Sequence, residues 1–180
     1  QKFIFKKNKS YITTNKIFLN NIRALHFTHD NFDSEKCILY FHGGGYVAGS
    51  PETHQNMLLS LAHLSSTQIF AIDYSLSPES VFPQAINDAL KSYDALIERG
   101  FKSENIFFGG DSAGGNLTLV SILKLQQLNQ KLPSKLFLLS PWTDLTGEGR
   151  SIKENSKSDP YLSYDNWLNT SLSMQKIVKE

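Results

Sequence analysis

Apolar positions along the chain first follow the rhythm of strands and then an alternation of strands with helices. Near the N-terminus, residues 3–5 and 17–19 are apolar runs separated by polar turn formers, and residues 22–27 alternate. Further on, continuous apolar runs are typical of strands covered on both faces. These buried strands are predicted at residues 37–41, 69–74, 106–108 and 136–139.

Helical periodicity fills the intervals between these strands. Apolar residues between 82 and 97 form one stripe that ends at Gly100. Ser50 as N-cap and Pro51 at the first helical position predict a helix after the first buried strand. A third helix is predicted at about residues 113–129. Strands that alternate with helices predict an α/β fold, with a mostly parallel sheet and helices on both faces.

Glycines cluster at one edge of this predicted sheet. Of the 11 glycines, eight lie in two short stretches, at residues 43–49 and 109–115, each directly after a buried strand. Glycine clusters mark backbone that bends sharply or approaches another group closely. Right-handed crossovers bring the carboxyl ends of parallel strands to one edge, where open α/β sheets bind ligands.

Composition removes several classes of function. The 180 residues carry 18 Lys and Arg against 17 Asp and Glu, so no basic surface for nucleic acid is indicated. The 40% hydrophobic content is that of a globular domain. A single cysteine, Cys37, excludes a disulfide or CxxC site within this sequence. No apolar run approaches the ~18 residues of a membrane span, so we expect no stable membrane insertion and take a cytoplasmic location as the default.

Residues 110–114, Gly-Asp-Ser-Ala-Gly, match the Gly-x-Ser-x-Gly pattern between a predicted strand and a predicted helix. In that context the pattern indicates a nucleophile elbow, which raises the hydroxyl of Ser112 above the sheet. An incidental serine in a glycine-rich turn is the alternative. A phosphate-binding loop is rejected, because no Lys-Ser or Lys-Thr follows the glycines.

The sequence His-Gly-Gly-Gly at residues 42–45 follows the first buried strand, where an ester hydrolase has its oxyanion loop. Tetrahedral intermediates need preorganised N–H donors, and glycines let main-chain amides turn toward a substrate. We expect Gly43 and Gly44 to donate together with Ala113. His42 is predicted to tether this loop rather than to act as a base.

Four blocks of the sequence resemble the hormone-sensitive-lipase-like family of α/β-hydrolases. They are His-Gly-Gly-Gly-Tyr-Val with Gly-Ser at 42–50, Asp-Tyr-Ser-Leu-Ser-Pro-Glu with Phe-Pro at 73–83, the elbow with Asn at 110–116, and Ser-Pro-Trp-Thr-Asp-Leu at 140–145. The resemblance implies a serine carboxylesterase that hydrolyses short-chain acyl esters through an acyl-enzyme on Ser112. It implies no cofactor and no metal, a helical cap, and substrate contacts from Tyr46 and Asp111. Ser75 departs from the family, which usually has an arginine there that forms an ion pair.

The sequence contains no evident acid or base for this serine. α/β-Hydrolases order their triad as serine, acid, histidine, yet all five histidines precede Ser112. Asp144 is interpreted as a structural turn residue, and Asp159 as part of a segment before the cap. We therefore expect residues 1–146 to be the N-terminal part of a hydrolase core and residues 147–180 to begin its cap. The sheet would be incomplete at its C-terminal side, and the acid and histidine would lie beyond residue 180.

Two other functions remain open at this stage. The plant gibberellin receptor resembles the family without its catalytic histidine, so an inactive small-molecule-binding protein is one alternative. An amide hydrolase is another, because oxyanion chemistry is shared among acyl transfers. The expected partner is a small ester, with no nucleic acid, and a homodimer is left open. His26 and His29 are interpreted as solvated surface rather than a metal site.

Overall fold

Six strands form one sheet in the computed structural model, which describes residues 12–160 and 162. The order across the sheet is β1-β2-β4-β3-β5-β6. The strands are β1 Thr13–Leu19, β2 Ile22–Thr28, β3 Asp33–Phe41, β4 Thr67–Ile72, β5 Ile106–Asp111 and β6 Lys135–Leu139. Each contains or overlaps a predicted strand, and the strand predicted at residues 3–5 lies outside the described residues.

Strand direction divides the sheet into two parts. β1 pairs antiparallel with β2, and β2 pairs antiparallel with β4. β4, β3, β5 and β6 run parallel to one another. These parallel strands are the continuous apolar runs of the sequence, because a strand covered on both faces has no polar side to show. The predicted α/β class with a mostly parallel sheet is confirmed.

Within residues 12–160 the helices are α1 Gln55–Ser65, α2 Gln84–Glu98, α3 Ser112–Gln127 and the short α4 Arg150–Glu154, and a 3-10 turn spans Ser103–Asn105. The predicted start of α1 at Ser50 is wrong. Ser50 and Thr53 instead exchange bonds between backbone N–H and side-chain hydroxyl, at 3.1 and 3.3 Å. The residues of the predicted cap therefore close a turn, and the helix begins only after that turn.

Helices cover both faces of the sheet, as predicted. Along β3, Leu39 and Phe41 pack in one core cluster with residues of α2 and α3, such as Tyr93 and Leu117. Ile38 and Tyr40 point the other way and share a second cluster with α1. Neighbouring strand residues face opposite sides of a sheet, so one apolar run supplies both clusters.

A topological switch lies between β3 and β5. The chain leaves β3 toward α1 on one face, and it leaves β5 toward α3 on the other. Such a reversal opens a crevice at the carboxyl ends of the two strands. Phe41 and Gly110 are paired at these ends. The glycine-rich loop after β3 and the serine after β5 are therefore neighbours.

Candidate active site

Ser112 occupies a sharp turn between β5 and α3. Its φ is 51°, in the left-handed region that non-glycine residues rarely adopt. Such a conformation costs on the order of 1–3 kcal/mol and persists only where the surroundings enforce it. One brace is the backbone N–H of Trp142, which donates to the Ser112 carbonyl at 2.9 Å. Trp142 itself is half-buried.

The glycines on either side of Ser112 are required by close backbone approach. A Cβ at Gly114 would overlap the carbonyl oxygen of Phe41 and lie 2.6 Å from that of His42. A Cβ at Gly110 would overlap the backbone of Gly114. The two ends of the turn therefore touch each other and the end of β3. This contact explains the Gly-x-Ser-x-Gly spacing and is the geometry predicted for a nucleophile elbow.

The loop after β3 presents a series of backbone amides beside this turn. Gly44 has a φ of 127° and Gly45 a φ of 63°, conformations that favour glycine. The Gly43 N–H donates to Asp111 Oδ1 at 2.9 Å. Within residues 12–160, no hydrogen bond occupies the amides of Gly44 and Gly45. An oxyanion could use the Gly43 amide only by replacing the Asp111 carboxylate, so the predicted role of Gly43 as a substrate donor gains no support.

His42 is buried at the base of this loop. Its Nδ1–H donates to the Gly43 carbonyl at 2.7 Å, and its ring stacks on Tyr74 with centroids 4.3 Å apart. The Tyr74 hydroxyl donates to the His42 carbonyl at 2.6 Å. Burial lowers the pKa of His42, which keeps the ring neutral. His42 thus tethers the loop, as the sequence predicted.

Asp111 links the elbow to the loop. Its Oδ1 accepts the Tyr40 hydroxyl at 2.8 Å in addition to the Gly43 amide. Its Oδ2 faces His54 Nε2 at 3.3 Å. Asp111 was predicted to contact substrate, but both of its carboxylate oxygens are bound by protein groups. In this structure its carboxylate positions the loop against the turn.

The structure brings His54, which directly precedes α1, to the site. The hydrogen bond to Asp111 raises the pKa of His54. Burial acts to raise the pKa of Asp111, but hydrogen bonds from His54 and Tyr40 outweigh burial and hold that pKa below its ordinary value. His54 and Asp111 are 57 residues apart in the chain, and no local pattern signals the contact.

Tyr46 lies at the far end of the loop, half-buried, with a φ of 62°. Its hydroxyl donates to Asn116 Oδ1 at 2.7 Å, and its carbonyl accepts the Ser77 N–H at 2.8 Å. The ring also packs edge-on against Tyr74. The bond to Asn116 ties the loop to α3, and the bond from Ser77 ties it to the segment between β4 and α2. A substrate contact from Tyr46 stays a prediction, and it would involve the ring rather than the hydroxyl.

No base reaches Ser112 within the described residues, where its Oγ makes no hydrogen bond. Asp144 is unsuited to be the acid, because its carboxylate accepts backbone N–H groups from Thr146, Gly147 and Gly149 at 2.9–3.2 Å. The Thr146 hydroxyl also donates to this carboxylate, at 2.6 Å, and that bond together with the backbone bonds lowers the pKa of Asp144. The interpretation of Asp144 as a turn residue is confirmed.

Across residues 12–160, no group of three or more His, Cys, Asp and Glu side chains is arranged to hold a metal ion. His26 instead pairs with Gln68 and stacks on Phe70. In the same part of the chain, none of the helices has the length and apolar character to cross a membrane.

The chain is similar in sequence to known proteins. A family described as having the alpha/beta hydrolase fold matches residues 38–175. An esterase of Acinetobacter venetianus is 39% identical over 128 residues, which are 71% of this chain and 42% of that protein. An acetyl-hydrolase of Streptomyces hygroscopicus is 36% identical over 116 residues, or 64% of this chain and 39% of the relative.

A solved structure extends the likeness to three dimensions. The crystal structure of an esterase from the bacterial hormone-sensitive lipase family superposes with a TM-score of 0.89 at 31% identity, covering 94% of this chain and 57% of that one. The chain belongs to the α/β-hydrolase family, and within it to the hormone-sensitive-lipase-like group. It spans about two fifths of the length of the curated relatives described here.

Proposed function

We propose that the protein containing this chain is a serine carboxylesterase that cleaves small, short-chain acyl esters through an acyl-enzyme on Ser112. The observation that carries the proposal is the strained turn at Ser112, held beside a glycine-rich loop with unoccupied amides. Strain at one residue between two glycines has no evident structural purpose, and such strain clusters at active sites. The esterase and acetyl-hydrolase relatives support the same class of reaction.

In the proposed reaction, Ser112 Oγ attacks the ester carbonyl and its proton passes to a histidine base. The carbonyl oxygen becomes an oxyanion, which the amides of Gly44 and Ala113 would stabilise, with Gly45 beside them. Ala113 is in the first turn of α3, where amides lack an intrahelical acceptor. Collapse of the intermediate expels the alcohol, and water then releases the acid from Ser112 by the same steps.

The acid and the histidine of this mechanism are proposed to belong to a part of a longer protein that follows residue 180. Two of the described histidines lie at the site and are engaged with other groups: His42 holds its loop, and His54 faces Asp111. We also propose that residues 1–146 are the N-terminal part of the hydrolase core and that residues 147–180 begin a helical cap. A homodimer and a cytoplasmic location stay predictions.

The test is hydrolysis of p-nitrophenyl acetate and p-nitrophenyl butyrate by the full-length protein and its Ser112→Ala variant. Loss of a nucleophile in a serine hydrolase costs on the order of 10⁶-fold in kcat, so activity should fall to background. Ser121, a buried serine on the same helix, gives the matched control Ser121→Ala, which should keep its activity. Equal rates for wild type and Ser112→Ala would contradict the proposal.

An inactive binding protein is the second candidate, because within residues 12–160 no base contacts Ser112. The same assay separates the two functions. A folded full-length protein with no turnover of either ester, and no covalent adduct on Ser112 after treatment with an organophosphate, would favour binding. Faster cleavage of p-nitroacetanilide than of p-nitrophenyl acetate would favour the amide hydrolase.

A further inference from the structure

We propose that His54, in its protonated form, is a positioning residue that holds the Asp111 carboxylate in place and thereby orients the oxyanion loop. This inference rests on the proposed esterase function, since the loop matters only if an oxyanion forms beside Ser112. His54 touches neither Ser112 nor the free amides in the structure. Its effect would pass through Asp111, which precedes the nucleophile in the chain and accepts the Gly43 amide.

The surroundings of the His54 ring match a cation. Nε2 lies 3.3 Å from Asp111 Oδ2, while Nδ1 lies 2.9 Å from Thr53 Oγ1 and 3.2 Å from the Ser50 carbonyl. The Thr53 hydroxyl donates its hydrogen to the same Ser50 carbonyl at 2.8 Å, so its oxygen is left to accept. Both ring nitrogens therefore face acceptors. A neutral imidazole has one N–H and an imidazolium has two, so the imidazolium satisfies the whole arrangement.

The anchored carboxylate then sets the loop. Asp111 Oδ2 faces His54, and Oδ1 receives the Tyr40 hydroxyl and the Gly43 amide. With both oxygens engaged, the carboxylate has little freedom to rotate, and the Gly43 bond keeps one geometry. The free amide of Gly44 is the next one along the chain. Removing the His54 cation would leave the half-buried Asp111 carboxylate with less compensation of its charge, and such carboxylates reorganise or take up a proton.

Few other charges compete for this contact. Asp111 faces the ring from the end of β5, and His42 faces it from the oxyanion loop with centroids 5.7 Å apart. Tyr40, on β3, is linked to the His54 ring only through Asp111. On the segment of His54 itself, Glu52 is paired with Arg23. Burial lowers the pKa of His42, so His42 stays neutral and does not repel a charged His54.

The first test measures His54 without substrate. NMR titration of the full-length protein with isotope-labelled histidine should give His54 an apparent pKa above the ordinary value of ~6.5. The Asp111→Asn variant should bring that pKa down, because it removes the anion. A wild-type value at or below ~6.5 would overturn the proposal, whatever the activity of the enzyme.

The second test follows the loop and the chemistry in His54→Leu. Amide hydrogen exchange at Gly43 should become faster by about tenfold or more, while Leu39, inside β3, keeps its protection. Small misplacements of catalytic groups cost up to about 10²-fold, so kcat should fall by about tenfold or more, with KM within about twofold of wild type. His54→Gln keeps an N–H donor toward Asp111 and should recover part of both effects.

His63→Leu is the matched control, because His63 lies on α1, the helix that follows His54, and is exposed. Exchange at Gly43 and kcat in His54→Leu that equal those of His63→Leu would overturn the proposal. Uniformly faster exchange at Gly43 and Leu39 would also overturn it, since that indicates a general loss of stability. If wild type shows no esterase activity, the proposed function fails, while titration and exchange still decide whether His54 orders the loop.

Discussion

Gly43 and Asp111 are 68 residues apart in the chain and are joined by a 2.9 Å hydrogen bond from backbone amide to carboxylate. The bond connects the loop after β3 to the residue before Ser112. It also occupies one of the amides that the sequence assigned to the oxyanion. The first glycine thus holds the geometry of the loop, while no group among the described residues accepts the amides of the two glycines that follow.

Tyr40→Phe tests how strongly the Asp111 carboxylate holds its partners. The buried Tyr40 hydroxyl donates to this carboxylate, and a bond to a charged group contributes about 1.5–3 kcal/mol. We expect the free energy of unfolding in urea to fall by about that amount. Tyr93→Phe, which loses a bond to the neutral Lys131 carbonyl, should cost only about 0.5–1.5 kcal/mol. A larger loss in Tyr93→Phe would contradict this ranking.

Gly114→Ala tests the close packing of the elbow. The added Cβ would overlap the Phe41 carbonyl, which belongs to the central strand and has little room to move. Overpacking of this kind costs about 1–3 kcal/mol or more, and we expect the melting temperature and esterase activity to fall together.

Gly100→Ala is the comparison for Gly114→Ala, because nothing lies within 4 Å of its Cβ and only its φ of 94° is strained. Its melting temperature should fall for that reason alone, by the equivalent of about 1–2 kcal/mol, with esterase activity kept. Full activity in Gly114→Ala would show that the elbow tolerates displacement.

Arg23→Gln tests an ion-pair network that ties β2 to β4 and to the turn before α1. The guanidinium bonds Asp73 at 2.6 Å and Glu52 at 2.5 Å. Because these side chains are 31–40% exposed, we expect a loss of only about 0.5–1 kcal/mol at pH 7. Arg150→Gln, which loses an exposed pair with Glu154, should change the stability less.

The pH dependence of this network has a definite sign. The hydrogen bond from Arg23 lowers the pKa of Glu52 to about 2, below its value in the unfolded chain of ~4.3. A carboxyl with a depressed pKa stabilises the fold above its unfolded pKa, and the contribution is lost as the pH falls toward its folded pKa. The gap in stability between wild type and Arg23→Gln should therefore shrink between pH ~4.3 and about 2, and a constant gap would contradict the assignment.

Cys37 should be inert in the native protein. It is fully buried in β3, and burial raises the pKa of its thiol to about 12. The thiolate is the reactive form, so iodoacetamide at pH 8 should leave the Cys37 peptide unmodified in mass spectrometry. The same treatment in denaturant should alkylate it completely. Rapid alkylation of the folded protein would show that β3 opens.

Much of the fold was predictable from the sequence for simple reasons. A strand buried on both faces must be apolar along its length, so residues 37–41 and 106–108 were recognised as strands without any partner being known. The start of α1 was predicted wrongly, because a Ser-Pro-Glu sequence can close a turn as readily as it caps a helix. Whether such a sequence closes a turn or caps a helix depends on where the loop must end.

An arginine partner for Asp73 illustrates what the sequence pattern could not supply. Arg23 from β2 pairs with Asp73, 50 residues away in the chain, and no local pattern signals that contact. Likewise His54 lies on no recognisable motif, and its contact with Asp111 exists only because the turn before α1 lies beside the end of β5. Long-range pairs of this kind depend on strand order, which hydrophobic periodicity does not encode.

The sequence by itself determined the alternation of strands and helices, the serine turn and the glycine-rich loop, because each depends on residues close together in the chain. Only the tertiary structure decided which groups meet at the crevice between β3 and β5. It engaged the amide of Gly43 with Asp111, left that of Gly44 without an acceptor among the described residues, and placed His54 beside the carboxylate. The physical reason is that a hydrogen bond requires two groups within about 3 Å of each other. Residues this far apart in the chain come so close only where the fold, here the pairing of β3 with β5, brings them together.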